Sequence, residues 1–265
     1  DSFENNFYNN HGSVGLINIP TARFFDEEVY GVTVYDGTPD QKITLSSNPY
    51  DWFEASFFYT NIQGLPYPGY EYQDYKDKGF NMKVRLKEEG YLPAVAIGLN
   101  DFAGTGLYSS EYIVTSYGIN NIDFHFGIGW GQLSGGNNIK NPLSYVSDRF
   151  SNRPLDYSGK GGSFNLDQYF SGPESSYFYG ISFKHNNNLF LNFEKDPIKV
   201  DGPRMPYPDN KNHYSYGLVY KINNNFNISF SHERGSYLSL KFSYKNNPRA
   251  SKKNYEFKKA EINDN

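Results

Sequence analysis

The chain of 265 residues contains no cysteine. That excludes a disulfide framework and a thiolate metal site. It has no run near the ~18 consecutive apolar residues that a membrane-spanning helix requires. Neither sign of charge prevails, since 25 Lys+Arg stand against 29 Asp+Glu and leave a net charge of −4. Such a balance gives no general attraction to nucleic acid. Apolar residues reach only 37%, where ordinary soluble domains carry about 45–50% with Gly counted. The mean hydropathy is −0.71. A large aliphatic core is therefore not expected. No secretory leader is evident, and the chain opens on Asp1 and not on Met. A processed N-terminus is the expectation, and export stays open.

What the chain does have is aromatic residues: 25 Tyr and 22 Phe bring the aromatic share to 18%. Disordered chains are poor in aromatics, so the low hydropathy does not signal disorder. The arrangement of these residues is regular. Tyr214, Tyr216, Leu218, Tyr220 and Ile222 alternate with Ser215, Gly217, Val219 and Lys221. Phe226, Ile228, Phe230 and His232 alternate with Asn227, Ser229 and Ser231, and Leu238, Leu240, Phe242 and Tyr244 with Ser239, Lys241, Ser243 and Lys245. The same period of two runs through Phe80–Lys87 and through Ile122–Trp130. It marks strands with one apolar and one polar face. Thirteen strands are expected: 14–19, 29–35, 42–46, 52–60, 79–88, 92–99, 110–118, 121–131, 175–184, 188–195, 213–222, 225–233 and 237–245. No comparable stretch has helical spacing, and Asn141 to Phe150 reads as at most a short loop helix.

Length and connectivity point to a membrane. Many of these segments span eight to eleven residues, near the ~9–11 that cross a bilayer and above the ~5–6 of soluble strands. Long connections (61–78, 100–109, 132–174, 196–212) alternate with tight ones at Glu89-Gly90, Ile119-Asn120, Asn186–Asn188 and Asn223–Asn225. Outer-membrane barrels have this pattern, with short periplasmic turns and long outer loops. A soluble sandwich also alternates, with its apolar face turned inward. The aromatic wealth of the apolar face favours the barrel, in which that face meets lipid and aromatics form girdles at both interfaces. The polar face, with Lys83, Arg85, Lys87, Asp123 and His125, then lines a wet lumen. The expected fold is an all-β, antiparallel transmembrane β-barrel of outer-membrane type with about 12–14 strands.

Segments of the first half resemble a known family. They are Gly15-Leu16-Ile17, Pro20-Thr21-Ala22-Arg23, Trp52 to Thr60, Tyr75 to Lys78, Lys83 to Leu86, Tyr91 to Leu99, Asp101, Gly104-Thr105-Gly106, Ser110-Glu111-Tyr112 and Gly127 to Gly131. In order and spacing they resemble the YjbH family of Gram-negative outer-membrane β-barrels. The resemblance is closest over residues 12–133, and 134–265 match only in general character. It implies the outer membrane as location and exopolysaccharide biosynthesis or export as function. The implied partners are outer-membrane lipid, the exopolysaccharide and periplasmic polysaccharide-export proteins. It also implies a barrel over 1–250, whole or the first part of a longer chain, followed by a polar tail at 251–265.

Six residues are candidates for glycan contact: Arg23, Lys83, Arg85, Asp101, Thr105 and Glu111. A guanidinium in the lumen can hold a hydroxyl or a uronate by paired hydrogen bonds; for Arg23 an ion pair that fixes the N-terminal segment is the plainer alternative. Lys83, Arg85 and Lys87 form a basic ladder that can guide an anionic polymer or pair with Glu54, Asp123 and Glu111 across the lumen. Asp101, Thr105 and Glu111 flank a Gly-rich loop, read either as a sugar contact or as a tight connection. Tyr67, Tyr70, Tyr72 and Tyr75 offer faces to sugars or anchor at the headgroups. The histidines His11, His125, His185, His213 and His232 have no metal spacing, and no Gly-x-Ser-x-Gly elbow is present. No enzyme activity, metal or cofactor is expected. Two alternatives stand beside glycan contact or passage: an outer-membrane enzyme acting on glycan or lipid, and a structural anchor for another protein.

Overall fold

A computed structural model describes residues 6–67, 69–136, 138–154, 166–199 and 211–249. The tail expected at 251–265 lies outside the described residues. The strands are β1 (Val29–Asp36), β2 (Asp40–Tyr50), β3 (Phe53–Tyr67), β4 (Tyr70–Lys87), β5 (Ala94–Asn100), β6 (Ser110–Ile119), β7 (Ile122–Gly131), β8 (Asn138–Lys140), β9 (Glu174–Lys184), β10 (Leu189–Lys195), β11 (Tyr214–Lys221), β12 (Phe226–Glu233) and β13 (Tyr237–Asn246). Every consecutive pair is antiparallel except that β7 pairs with β9, while the short β8 extends the far end of β9. Pairing of β1 with β13 closes the circle, in a register running from Tyr30 opposite Asn246 to Asp36 opposite Leu240. The result is a closed barrel of twelve strands. Closure satisfies the backbone of every strand and leaves no edge, which is what lets a sheet stand in lipid.

The pleat sends alternate side chains in and out. Tyr30, Val32 and Val34 of β1, Ile43 and Leu45 of β2, and Tyr216, Leu218 and Tyr220 of β11 stand outward, with Leu45 53% exposed. Neighbouring strands stack this coat: Phe57 and Phe80 lie 5.2 Å apart, Phe226 and Tyr244 4.7 Å, and Phe193 and Tyr214 5.7 Å. Cross-strand aromatic pairs of this kind are the ordinary stabilising unit of a sheet face.

Turns separate the two rims. At one rim the connections are Asp51-Trp52, 88–93, Asn120-Asn121, 185–188 and 222–225, and there β1 begins and β13 ends. Asn186 and Asn223 build two of these turns identically. Each side chain accepts the backbone N–H groups two and three residues on, from Asn188 and Leu189 and from Asn225 and Phe226. This is the local bond that makes Asn a turn residue. The opposite rim carries 101–109, 132–173 and 196–213.

Two expectations change. The segment 61–78 is not a loop but an extension of β3 and β4 into a long hairpin, because pairing continues from Ile62–Tyr75 to Tyr67–Tyr70 across a bulge. The segment 14–19 is not a wall strand. It belongs to a stretch, 6–25, that lies inside the barrel with nearly every residue buried. Isolated bridges Tyr8–Val14 and Gly15–Pro20 mark two tight reversals there. Space for it comes from missing side chains in the wall: a Cβ on Gly31 would fall 2.4 Å from the ring of Tyr8.

Candidate functional site: a lumen closed by the N-terminal segment

Three carboxylates of the wall hold the inserted segment. Glu194, fully buried, accepts the backbone N–H groups of Ile17, Asn18 and Ile19 at 3.0, 2.8 and 3.3 Å. Glu233 accepts from the side-chain amides of Asn10 and Asn18 at 2.9 and 2.8 Å and from the Tyr35 hydroxyl at 3.1 Å. Glu54 accepts from the Ser13 hydroxyl and from the Val14 N–H. Lysines hold the carbonyls. Lys83 donates to Val14 and Arg23 carbonyls at 3.0 and 2.9 Å, and Lys241 donates to that of Tyr8. The segment pairs part of its backbone with itself across its reversals, and burial makes pairing of the rest obligatory. The wall charges meet that need.

One sector of the wall is apolar. Leu16, Ile19, Ala22 and Phe24 of the segment pack on Ala94, Ala96, Tyr112, Val114, Leu133 and Phe178. The expected uniformly polar lumen is thus polar over most of its circumference, with an apolar sector matched to the segment.

Of the six candidate residues, the structure places three near the short-turn half of the lumen. The Arg23 guanidinium donates twice to Asp123, at 2.9 and 2.6 Å, and also to Glu89. Lys83 also pairs with Glu54 at 3.3 Å. Arg85 reaches Glu88 at 2.9 Å and lies 4.9 Å from the centre of the Phe24 ring. Lys83 and Glu54 do pair, but as direct neighbours on β3 and β4 and not across the lumen as expected, whereas Asp123 pairs with Arg23. The other three candidates lie toward the long-loop rim. Thr105 donates to Asp77 at 2.9 Å, and Asp101 accepts the Tyr108 N–H at 3.0 Å.

Glu111 does not oppose the ladder. It sits across from Leu99 and Trp130, on the outer face of the wall, because the pleat that points Tyr112 inward points Glu111 outward. The 132–173 connection folds back over it. Arg153 donates to both Glu111 oxygens at 2.7 and 2.8 Å, and the Phe170 N–H adds a third bond. Trp130, expected to meet lipid, lies under the same connection. Its indole N–H donates to Asn141, and its ring meets Phe170 edge-on at 5.2 Å. Asn141 also starts the Pro142–Tyr145 turn by accepting the Leu143 N–H. The inserted segment and this fold-back were missed from sequence. The one hint for the first is that 6–25 is the only early stretch without period two.

Above the segment, toward the long loops, is a cavity of about 50 Å³ lined by His11, Asp40, Lys42, Tyr108, Arg234 and Tyr237 among others. Lys42 lies over the Tyr108 ring at 4.4 Å, with its ammonium 3.1 Å from His11 Nδ1. Tyr108 donates to Asp40 at 2.6 Å, and Arg234 donates twice to Asp196. This is room for one or two waters, so the lumen is closed at this level.

Burial, and next to it the Asp77 carboxylate, push the Asp101 carboxyl up to about 8. The unfolded chain holds such a group near ~3.9. Between these values the folded protein binds the extra proton, so stability falls as pH rises from about 4 to about 8 and is flat above. Asp101→Asn keeps the acceptor for Tyr108 and removes this dependence. Denaturant midpoints from pH 5 to 9 are expected to decline less in the variant than in the parent; parallel curves refute the assignment.

A closed antiparallel barrel with an apolar, aromatic exterior and a polar, occupied interior is an outer-membrane β-barrel protein of the Gram-negative type. The family model described as "Exopolysaccharide biosynthesis protein YbjH" matches residues 7–265, and the chain belongs to this family. A curated relative from Escherichia coli (strain K12), "Uncharacterized lipoprotein YjbH", is 38% identical over 178 residues, which are 65% of this chain and 25% of the relative. The matched part thus spans about a quarter of the relative's length. Among solved structures, the KdgM porin is similar with a TM-score of 0.44 at 7% identity, over 82% of this chain and 97% of that one. The NanC porin gives 0.41 at 8% identity, over 81% and 97%. Nothing about cargo follows from these two likenesses.

Proposed function

We propose that this barrel serves exopolysaccharide biosynthesis or export by contacting the glycan non-catalytically at its long-loop face, with passage through the lumen requiring the N-terminal segment to move aside. The observation that carries the reading is the occupied lumen: residues 6–25 fill it, with a small cavity above among the described residues. Contact at the outer face needs no displacement. Family membership supports a glycan as the partner.

The β3–β4 hairpin offers the contact surface. β2 pairs with β3 as far as Ile62, Gln63 adds a bond to the Pro39 carbonyl, and beyond it the hairpin has no strand neighbour on that side. Tyr67 and Tyr75 stack there at 5.6 Å and 23°, and Tyr70 and Tyr72 are exposed. Tyr70 and Tyr72 lie beyond the last β2–β3 pair, past the level at which headgroup anchoring would place them, while Tyr75 packs at the base of the hairpin. Periplasmic export proteins would meet the opposite, short-turn rim. Arg23, Lys83 and Arg85 then act as fasteners of the inserted segment, and they become glycan contacts only when it leaves.

The test is retention of purified exopolysaccharide by the full chain in lipid vesicles. Replacing Tyr67 and Tyr75 together by Ala is expected to weaken binding about tenfold, or ~1.4 kcal/mol. Unchanged affinity, or no retention by the parent, overturns the reading.

A further inference from the structure

We infer that the long-loop rim holds a second cavity that takes a single neutral pyranose unit. The inference rests on the reading of that face as a glycan contact surface and adds a defined site and ligand class to it. The cavity measures about 240 Å³. That is the room of about eight waters at ~30 Å³ each, and below the ~300–1,000 Å³ of sites for larger ligands. One sugar ring fits, and an oligosaccharide does not.

Its walls come from four places brought together by the barrel: 106–109, 131–134, the parts of the fold-back at 152–153 and 168–174, and Lys199 beyond β10. Three wall positions are glycines with positive φ, Gly106 (φ 82), Gly131 (φ 63) and Gly172 (φ 124); at Gly131 a Cβ would fall 2.5 Å from the Ser109 carbonyl, whereas the other two are open. A Cβ on Gly106 would meet nothing closer than the Gln168 amide at 3.8 Å, and one on Gly172 nothing closer than 3.7 Å. The backbone there faces open space, as a wall that admits a ligand closely should.

The lining is suited to hydroxyls. Ser134 and Ser171 give their protons to the carbonyls of Gly131 and Gln168, at 2.8 and 2.6 Å, which leaves their oxygens as acceptors. Gln168 uses one amide proton on Ser109 at 3.3 Å and retains a second proton and a carbonyl. Sugar hydroxyls both donate and accept, and this set offers both.

Charge selects the neutral class. Arg153 lines the cavity, but its guanidinium is committed to both oxygens of Glu111 and to Ser109 at 2.8 Å. Lys199 and Glu174 place one charge of each sign around the cavity. A uronate would find no cation whose charge is not already balanced.

Saturation-transfer NMR on the full chain in detergent micelles tests this, with D-glucose, D-galactose, D-glucuronate and D-galacturonate as probes. Transfer is expected to at least one neutral hexose and to be weaker for the uronates. Asn152→Trp, at the exposed lip of the cavity, should fill it and raise Kd about tenfold, and Gln168→Ala should act in the same direction. Heat-modifiable migration on a gel reports folding, and if Asn152→Trp does not fold, Gln168→Ala decides. No transfer to either neutral hexose, binding unchanged in the folded variants, or preference for uronates overturns the inference. Loss of hexose binding here with polysaccharide retention on the hairpin intact sinks the site alone. The reverse sinks the hairpin reading alone.

Discussion

Excision of residues 6–25 turns the closed barrel into a conducting pore. The full chain in a planar bilayer is expected to show no steady current, and the excised chain to show discrete steps with open current about tenfold or more above it, as befits a twelve-strand barrel relieved of its filling. The wall stays intact, since its ladders run strand to strand from β1 around to β13 without help from the segment. Nor does excision strand buried charges. Glu54, Glu194, Glu233, Lys83 and Lys241 lose their partners in the segment, but Lys83 and Glu54 keep each other, Glu233 keeps Tyr35, and water enters as the segment leaves. That differs from removing one member of a buried pair in a dry interior, which costs several kcal/mol. Gly31→Leu tests the same point without deletion, because a side chain there would occupy the place of the Tyr8 ring. It is expected to conduct at an intermediate level. An excised barrel that migrates as folded and still passes no current would show that something else closes the lumen.

Arg153→Ala is expected to release the fold-back over the outer wall and to lower stability by about 3–5 kcal/mol, the range for breaking a buried ion pair. Glu111 is fully buried and Arg153 nearly so, with side-chain exposures of 0% and 10%. Without the guanidinium, Glu111 keeps only the Phe170 N–H, and its charge stays on a face that would otherwise meet lipid. The connection should then lift. Limited proteolysis within 132–173 would accelerate, and Trp130 fluorescence would report loss of the contacts to Asn141 and Phe170. Denaturant midpoints measure the stability change. Glu111→Gln together with Arg153→Ala removes both charges, so it should recover part of the loss, because no unpaired charge remains. If the single variant matches the parent in midpoint and cleavage, the ion pair is not what holds the connection down.

The strands were legible because alternation is a local property. Tyr216, Leu218 and Tyr220 must share a face whatever the rest of the chain does, and a barrel needs that face toward lipid. The turns at Asn186 and Asn223 were legible for the same reason, since each is closed by its own side chain. Trp130 and Glu111 mark the limit. Alternation put Trp130 on the outer face, whereas Glu111 was read as facing the lumen, and no local signal says that a connection some twenty to sixty residues further along, at Arg153 and Phe170, returns to cover them. The hairpin at 63–74 was hidden by Gly64, Pro66 and Gly69, which read as loop residues although pairing resumes beyond the bulge.

The opening scarcity of aliphatic residues follows from the same division. The sequence by itself determined that the chain forms long amphipathic strands with an aromatic coat, because a period of two, tight Asn turns and strand length need no partner to be read. Only the tertiary structure decided what the polar faces enclose. Glu54, Glu194 and Glu233 lie far apart in the chain and become one clamp only when the circle closes between β1 and β13. The segment they hold has no periodicity of its own, because its backbone bonds go partly to itself across tight reversals and partly to side chains of the wall, not to a neighbouring strand.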